Sequence, residues 1–218
     1  MPYELTLTRL HLNLAHPRAR GDLADNNALH QTLMRLVPDH LGDHPRQAAN
    51  LLFRLEPENL RHQPLILVQT AIRPDPGRLP DHYATATLHP LHGLTGHLTR
   101  DRRVRYRITA SPSKRNHGVP IPGQPTPRPR SRTPLTGADA HAWWQRRAAQ
   151  AGLILDTPPT ATPAHFRTRR HAPGLEHRFT RFEGTATITD PNALTQALIT
   201  GIGRGRSYGA GLLSLLPA

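Results

Sequence analysis

Three stretches of the chain hold residues whose types and spacing can do acid–base or anion chemistry. In DLADNNALHQTLMRLVP, Asp22 to Pro38, His30 lies one turn inside an amphipathic pattern, beside the apolar stripe of Leu29, Leu33, Leu36 and Val37. An imidazole with its ordinary pKa of about 6.5 gives or takes protons near neutral pH, so a histidine at the margin of a packed face is a candidate acid or base. The alternative is a histidine that only packs. In GIGRGRSYGAGLLSLL, Gly201, Gly203, Gly205, Gly209 and Gly211 surround Arg204 and Arg206. Such a loop can offer backbone N–H groups and two guanidinium forks to a phosphate. It has no Gly-Lys-Ser/Thr, and it leads from a helical pattern into a strand, the reverse of a dinucleotide fingerprint. Its alternative is a plain connector. Around the turn at 172–175, Arg167, Arg169, Arg170, His171, His177, Arg178 and Arg181 make a basic two-stranded ribbon. A ribbon of that charge docks on nucleic acid, or is an edge hairpin kept soluble by its arginines.

Other histidines argue for less. His89, His92 and His97 lie in Pro/Gly-rich sequence with no thiolate or carboxylate at ligand spacing. His40 and His44 are four apart, but Pro38 and Gly42 break the helix that would align them. No metal and no cofactor is expected.

Charge points to the partner. The chain of 218 residues carries 28 basic and 15 acidic side chains, and Lys114 is the one lysine. Residues 1–110 hold 14 bases and 10 acids, a net of +4, whereas 111–218 hold 14 and 5, a net of +9. A GC-rich genome inflates arginine, but it does not by itself explain the excess of base over acid. A basic half implies a polyanion, most plainly a nucleic acid. The chain has no cysteine, hence no disulfide framework, and no apolar run of the roughly 18 residues that a membrane span needs. Nor does its start read as a signal segment, which makes the cytoplasm the expected compartment.

The elements that must position these residues follow from periodicity. Residues 3–13 alternate as a strand; a helix follows with Asp25 as N-cap and Pro38 at its close; 50–56 and 65–72 read as strands. Residues 73–101 promise at best a short helix, and 104–110 alternate again. SPSKRNHGVPIPGQPTPRPRSRTP, with six prolines from Pro120 to Pro134, reads as an extended linker. Beyond it come a weak strand near 132–135, a helix over 138–152 carrying Trp143 and Trp144, and strands at 163–170 and 176–189. A helix over 192–199, capped by Asp190-Pro191, and a strand at 211–216 complete the chain. Two βαββαβ units in tandem predict an α+β protein of two ferredoxin-like (RRM-like) domains, 1–112 and 134–218, joined by 113–133.

The segments 6–36, 51–58, 65–70, 104–115 and 201–216 together resemble the CasE/Cse3 family of CRISPR-associated endoribonucleases, the RNA-processing subunit of type I-E Cascade. The pairing of DLA…LHQTLM with the terminal glycine-rich loop carries the resemblance over nearly the whole chain. It implies a metal-independent endoribonuclease that cuts precursor CRISPR RNA at the base of the repeat stem-loop by attack of the RNA's own 2′-OH, leaving a 2′,3′-cyclic phosphate. The product RNA stays bound, with the other Cascade subunits as partners. The family's catalytic histidine falls on His30. The RNA-binding residues expected on this basis are Lys114, Arg115, Arg167, Arg169, Arg170, Arg178, Gly203, Arg204, Gly205, Arg206 and Ser207. Some members carry a tyrosine three residues before the histidine; Asn27 stands there and cannot transfer protons. Tyr208, Arg204 and Lys114 are the candidates for a second catalytic group, and a non-catalytic subunit that only holds the RNA hairpin is the alternative. If the ribbon grips RNA, Arg169→Ala weakens binding and lowers the slope of log affinity against log salt by about one; an unchanged slope removes the ribbon from the interface.

Overall fold

A computed structural model describes residues 5–56, 63–115, 132–164 and 178–218. Strand β1 (Thr6–Leu12) buries alternate residues, as its period of two requires. Two helices follow, α1 (Pro17–Leu23) and α2 (Asn26–Leu33), and Asp25 caps α2 by accepting from the Asn27 amide at 2.9 Å. Arg18 Nε ties the two helices by donating to Asp22 and to Thr32, each at 3.1 Å. The short helix α3 (Pro45–Ala48) leads into β2 (Leu52–Glu56), then come β3 (Leu65–Thr70) and β4 (Ala84–Pro90). These four strands form an antiparallel sheet in the order β2-β3-β1-β4.

The second sheet is built on β5 (Arg103–Ala110). After it come the short pair β6 (Ser113–Arg115) and β7 (Arg132–Pro134), helix α4 (Gly137–Gln150), and strands β8 (Leu153–Leu155), β9 (Thr160–Ala164) and β10 (Phe179–Ile188). Helix α5 (Pro191–Thr200) and strand β11 (Leu213–Pro217) finish the chain. The order is β11-β5-β10-β8, with β9 also paired to β10. Both sheets thus share one antiparallel arrangement of first, second, third and fourth strands, and the protein is two ferredoxin-like domains. Asp190 caps α5 through two backbone amides, as its Asp-Pro sequence predicts. Trp144, fully buried, stacks on Phe182 at 5.7 Å in the second core.

The sheets correct four expectations. Strand 104–110, read as closing the first unit, is β5, paired with β10 and β11 in the second sheet. The fourth strand of the first sheet is β4, within the stretch expected to be at best a short helix. Periodicity misses β4 because, as an edge strand over an open face, it alternates half-buried Ala and Leu with exposed Thr and His. The weak strand near 132–135 is β7, which pairs only with β6 and not with the large sheet, so the proline-rich stretch joins two paired strands of one unit. The change of sheet falls between Pro90 and Arg103, ahead of the expected division at 112. Short elements α1 and β8 carry too few residues for a periodic signal.

What joins the domains is β2, buried on both faces. Phe53 points into the first core, while Leu52, Arg54 and Glu56 face the second domain. Arg54 donates from Nε to Glu56 at 2.7 Å, from Nη1 to the carbonyls of Arg107 and Leu212 at 3.1 Å each, and from Nη2 to Ser214 Oγ at 3.0 Å. Glu56 also receives Arg107 Nη1 at 2.8 Å, and Arg107 pairs in turn with Glu183. Beside it, Gln69 Nε2 donates to the Leu198 carbonyl at 2.7 Å. Removing one member of a buried charge pair strands the other in low dielectric. Glu56→Ala is therefore expected to cost about 3–5 kcal/mol of stability, measured by urea denaturation; a loss below 1 kcal/mol would mean that water screens the seam.

Candidate active site at the domain seam

His30 is held between two elements. Helix α2 carries it on the flank of the stripe formed by Leu29 and Leu33, and its ring stacks on Phe53 of β2, centroids 6.3 Å apart and planes 12° apart. On the other side of Phe53 runs the glycine-rich loop. Gly209, at φ +91°, lies so close that a Cβ would stand 3.0 Å from the Phe53 ring; the positive φ would strain a side chain there and the ring would have to shift to admit it. The loop is closed rather than slack: the amides of Tyr208 and Ala210 donate to the Gly205 carbonyl at 2.8 and 3.1 Å, and Gly211 N donates to Thr109 O at 2.7 Å. Asn26 Nδ2 ties α2 to the loop through the Tyr208 carbonyl at 2.7 Å.

A cleft of about 260 Å³ opens at this seam, lined among others by His30, Asp43, His44, Arg46, Gln47 and Ser207. His30 Nδ1 is buried with no hydrogen-bond partner among the described residues, so Nε2 is the nitrogen accessible from the cleft. Burial first, then the positive charge of Arg46, pushes the His30 pKa down to about 4. The imidazole is accordingly neutral at pH 7 and able to accept a proton. Arg46 donates to the Leu51 carbonyl at 3.4 Å, and Arg206 donates from Nη2 to the Gly201 carbonyl at 2.9 Å. Burial, and for Arg46 also the like charge of Arg206, holds both guanidinium groups below their usual pKa, though guanidinium stays charged at neutral pH. Neither joins an ion pair among the described residues. Two cations kept close without a carboxylate between them, beside a neutral imidazole, are suited to hold a phosphate while a proton moves.

A second basic cluster lies on the same loop. Arg115 and Arg132 face each other across β6 and β7, and Arg204, Arg115 and Arg147 press their like charges on Arg132. Arg147 lies over the Trp143 ring at 5.7 Å. Like charges placed directly opposite destabilise a strand pair, so this arrangement calls for an anion from outside.

Of the expected residues, the structure gathers His30 with Ser207 at the cleft and sets Arg206 beside Arg46. It places Arg204 with Arg115, and leaves Lys114, in the middle of β6, and Arg178, just before β10, exposed. Gly203 and Gly205 shape the loop between the two clusters. Arg167, Arg169 and Arg170 lie outside the described residues. Tyr208, Arg204 and Lys114, the candidates for a second catalytic group, are not among the residues lining the cleft, and Asn27 is not either. Sequence reasoning missed Arg46, one arginine among many, and His44, set aside because the helix breaks before it. No periodic signal marks a residue brought to a site by a loop. Among the described residues, no three His, Cys, Asp or Glu side chains gather as a metal site.

Two ferredoxin-like domains with a histidine–arginine cleft at their seam define the class of protein. The family model described as CRISPR associated protein matches residues 5–217. The chain is 33% identical over 224 residues to the CRISPR-associated endoribonuclease Cse3 of Thermus thermophilus, covering 97% of this chain and 99% of that one. It is 30% identical to the CRISPR system Cascade subunit CasE of Escherichia coli K12, over 91% of this chain and 96% of that one. Its fold matches Thermus thermophilus Cse3 bound to an RNA representing a pre-cleavage complex, with a TM-score of 0.79 at 31% identity, over 99% and 100% of the two chains. The chain belongs to this family of CRISPR-associated proteins, the one that Cse3 and CasE represent.

The depressed His30 pKa has a consequence for stability. Unfolding returns the imidazole to about 6.5, so between pH 6.5 and 4 the unfolded chain binds more protons than the folded one, and stability falls as pH falls through that window. His30→Gln is expected to flatten that dependence in urea titrations at pH 7 and 5; an identical loss in both proteins would mean that His30 is not buried enough to matter.

Proposed function

We propose that this protein is the endoribonuclease that cleaves precursor CRISPR RNA at the base of the repeat stem-loop, with His30 as the catalytic base, and that it keeps the product as a Cascade subunit. The observation that carries the reading is the neutral, half-buried His30 in a cleft with Arg46, backed by Arg206 on the glycine-rich loop. His30 takes the proton from the 2′-OH, the 2′-oxygen attacks the adjacent phosphorus, and the bond to the 5′-oxygen breaks. A 2′,3′-cyclic phosphate and a 5′-OH remain. Arg46 and Arg206 offset the charge that builds on the phosphorane oxygens, and the hydroxyl of Ser207, which lines the cleft, hydrogen-bonds to them.

The RNA leaves the cleft across the second cluster, where Arg115, Arg132, Arg147 and Arg204 meet its phosphates, joined by Lys114, Arg178 and the ribbon arginines 167, 169 and 170. The backbone of Gly203 and Gly205 lets that strand come close. Most of the major groove of A-form RNA is too deep and narrow for side chains, so stem shape and length are read more than base identity. Among the described residues, no helix is long and apolar enough to cross a membrane. The cytoplasm, where the transcript is made, is the compartment this reading assigns.

The test is cleavage of a repeat stem-loop RNA in EDTA, beside the same RNA with one 2′-deoxy nucleotide at the scissile position. The plain RNA is expected to be cut and the deoxy RNA bound but intact, and His30→Ala to slow cleavage by a factor on the order of 10²–10⁴ with affinity nearly kept. Binding of both RNAs with no cutting of either would make the protein a holder of RNA. Cutting that stops in EDTA would make the reaction metal-dependent.

A further inference from the structure

The cleavage proposed above moves two protons, and His30 accounts for one. As the 2′-oxygen joins phosphorus its proton leaves; as the bond to the 5′-oxygen breaks, that oxygen needs a proton. Asn27 has no transferable proton, and Arg46 and Arg206 do not release theirs at neutral pH. Of the groups lining the cleft, Asp43 is acceptor-only when ionised. His44 remains.

Its backbone is fixed and its side chain is unspent. The His44 carbonyl starts helix α3, accepting from the Gln47 and Ala48 amides at 2.9 and 3.0 Å, yet the imidazole makes no capping hydrogen bond. It is exposed, at the mouth of the cleft whose wall is the half-buried His30. The charged and titratable groups facing it are Asp43 beside it, Arg46 of α3, His30 of α2, and Arg206 of the loop that brings Ser207 into the cleft. Of the side-chain types that line the cleft, imidazole is the one whose chemistry lets it hold a proton and hand it on near neutral pH. The two histidines share the cleft but differ in surroundings, His30 half-buried in its wall and His44 exposed to solvent.

We propose that His44 is the general acid of the reaction, donating its imidazolium proton to the departing 5′-oxygen while His30 accepts the proton of the 2′-OH. The balance is complete: the bond from the 2′-oxygen to phosphorus forms, the bond to the 5′-oxygen breaks, His30 gains one proton and His44 loses one. No electrons change hands. This rests on the nuclease reading.

The experiment is single-turnover cleavage by wild type, His44→Ala, His44→Gln and His30→Ala, on the repeat stem-loop RNA and on the same RNA with sulfur for the 5′-bridging oxygen of the scissile phosphate. A thiolate, with a thiol pKa of about 8.5, leaves without needing a proton. Both His44 variants are expected to be slower than wild type by a factor on the order of 10²–10⁴ on the oxygen RNA and within about tenfold on the sulfur RNA. His30→Ala stays slow on both. His44 variants that match wild type on the oxygen RNA, or are equally slow on both RNAs, would overturn the assignment and leave the nuclease reading standing. Wild type that cuts neither RNA would overturn both.

Discussion

The burial of strand β2 on both faces is the constraint on which the rest of the molecule depends. A ferredoxin-like sheet has one face covered by helices and one open, and its edge strand is normally the place where a protein meets water. Here the edge strand is clamped. Phe53 looks into the first core and stacks on His30, while Arg54 and Glu56 on the alternate positions are fixed to the second domain by hydrogen bonds to Leu212, Ser214 and Arg107. A single-residue slip in β2 would exchange these two sets, losing the wall behind His30 and the seam together.

The arginines divide by what surrounds them. Arg54, Arg107 and Arg181 pair with Glu56 and Glu183, and the Glu56–Arg107 pair crosses between the domains. Arg46 and Arg206 at the cleft, and Arg115, Arg132, Arg147 and Arg204 beyond it, have like charges as neighbours instead. Holding such groups together costs free energy in the absence of a ligand, and a bound polyanion recovers it. The arginines of both halves thus fall into two groups, one paired with carboxylates and the other set beside like charges. Because the glycine-rich loop supplies Arg206 to one cluster and Arg204 to the other, it fixes the spacing between the two clusters.

Much of this was legible in the residues. The alternating strands β1, β2 and β3, the Asp25 and Asp190 caps, the helix with Trp143 and Trp144, and a histidine at the margin of an apolar stripe all follow from local pattern. Strand β4 did not, since its inner positions are Ala84, Ala86 and Leu88, only half-buried and mostly small, which leaves its alternation with Thr and His a weak apolar signal. The owner of β5 was misjudged for a different reason: proline density marks where a chain is extended, not which sheet a strand joins, and β5 is followed by the proline-rich stretch yet pairs with strands some 70 residues later.

By itself the sequence determined most of the elements, the fold class, the excess of positive charge and His30 as the residue to watch, because helix and strand periodicity, caps and net charge are properties of neighbours along the chain. Only the tertiary structure decided that Arg46 and His44, arriving on a short helix after two helix-breaking residues, complete the cleft that α2 and the glycine-rich loop begin. It also decided that His30 is neutral, because that depends on burial against Phe53 and on the charge of Arg46, 16 positions away in the chain and adjacent in space. Desolvation and Coulomb interaction act through distance in three dimensions, and no pattern read along one dimension contains it.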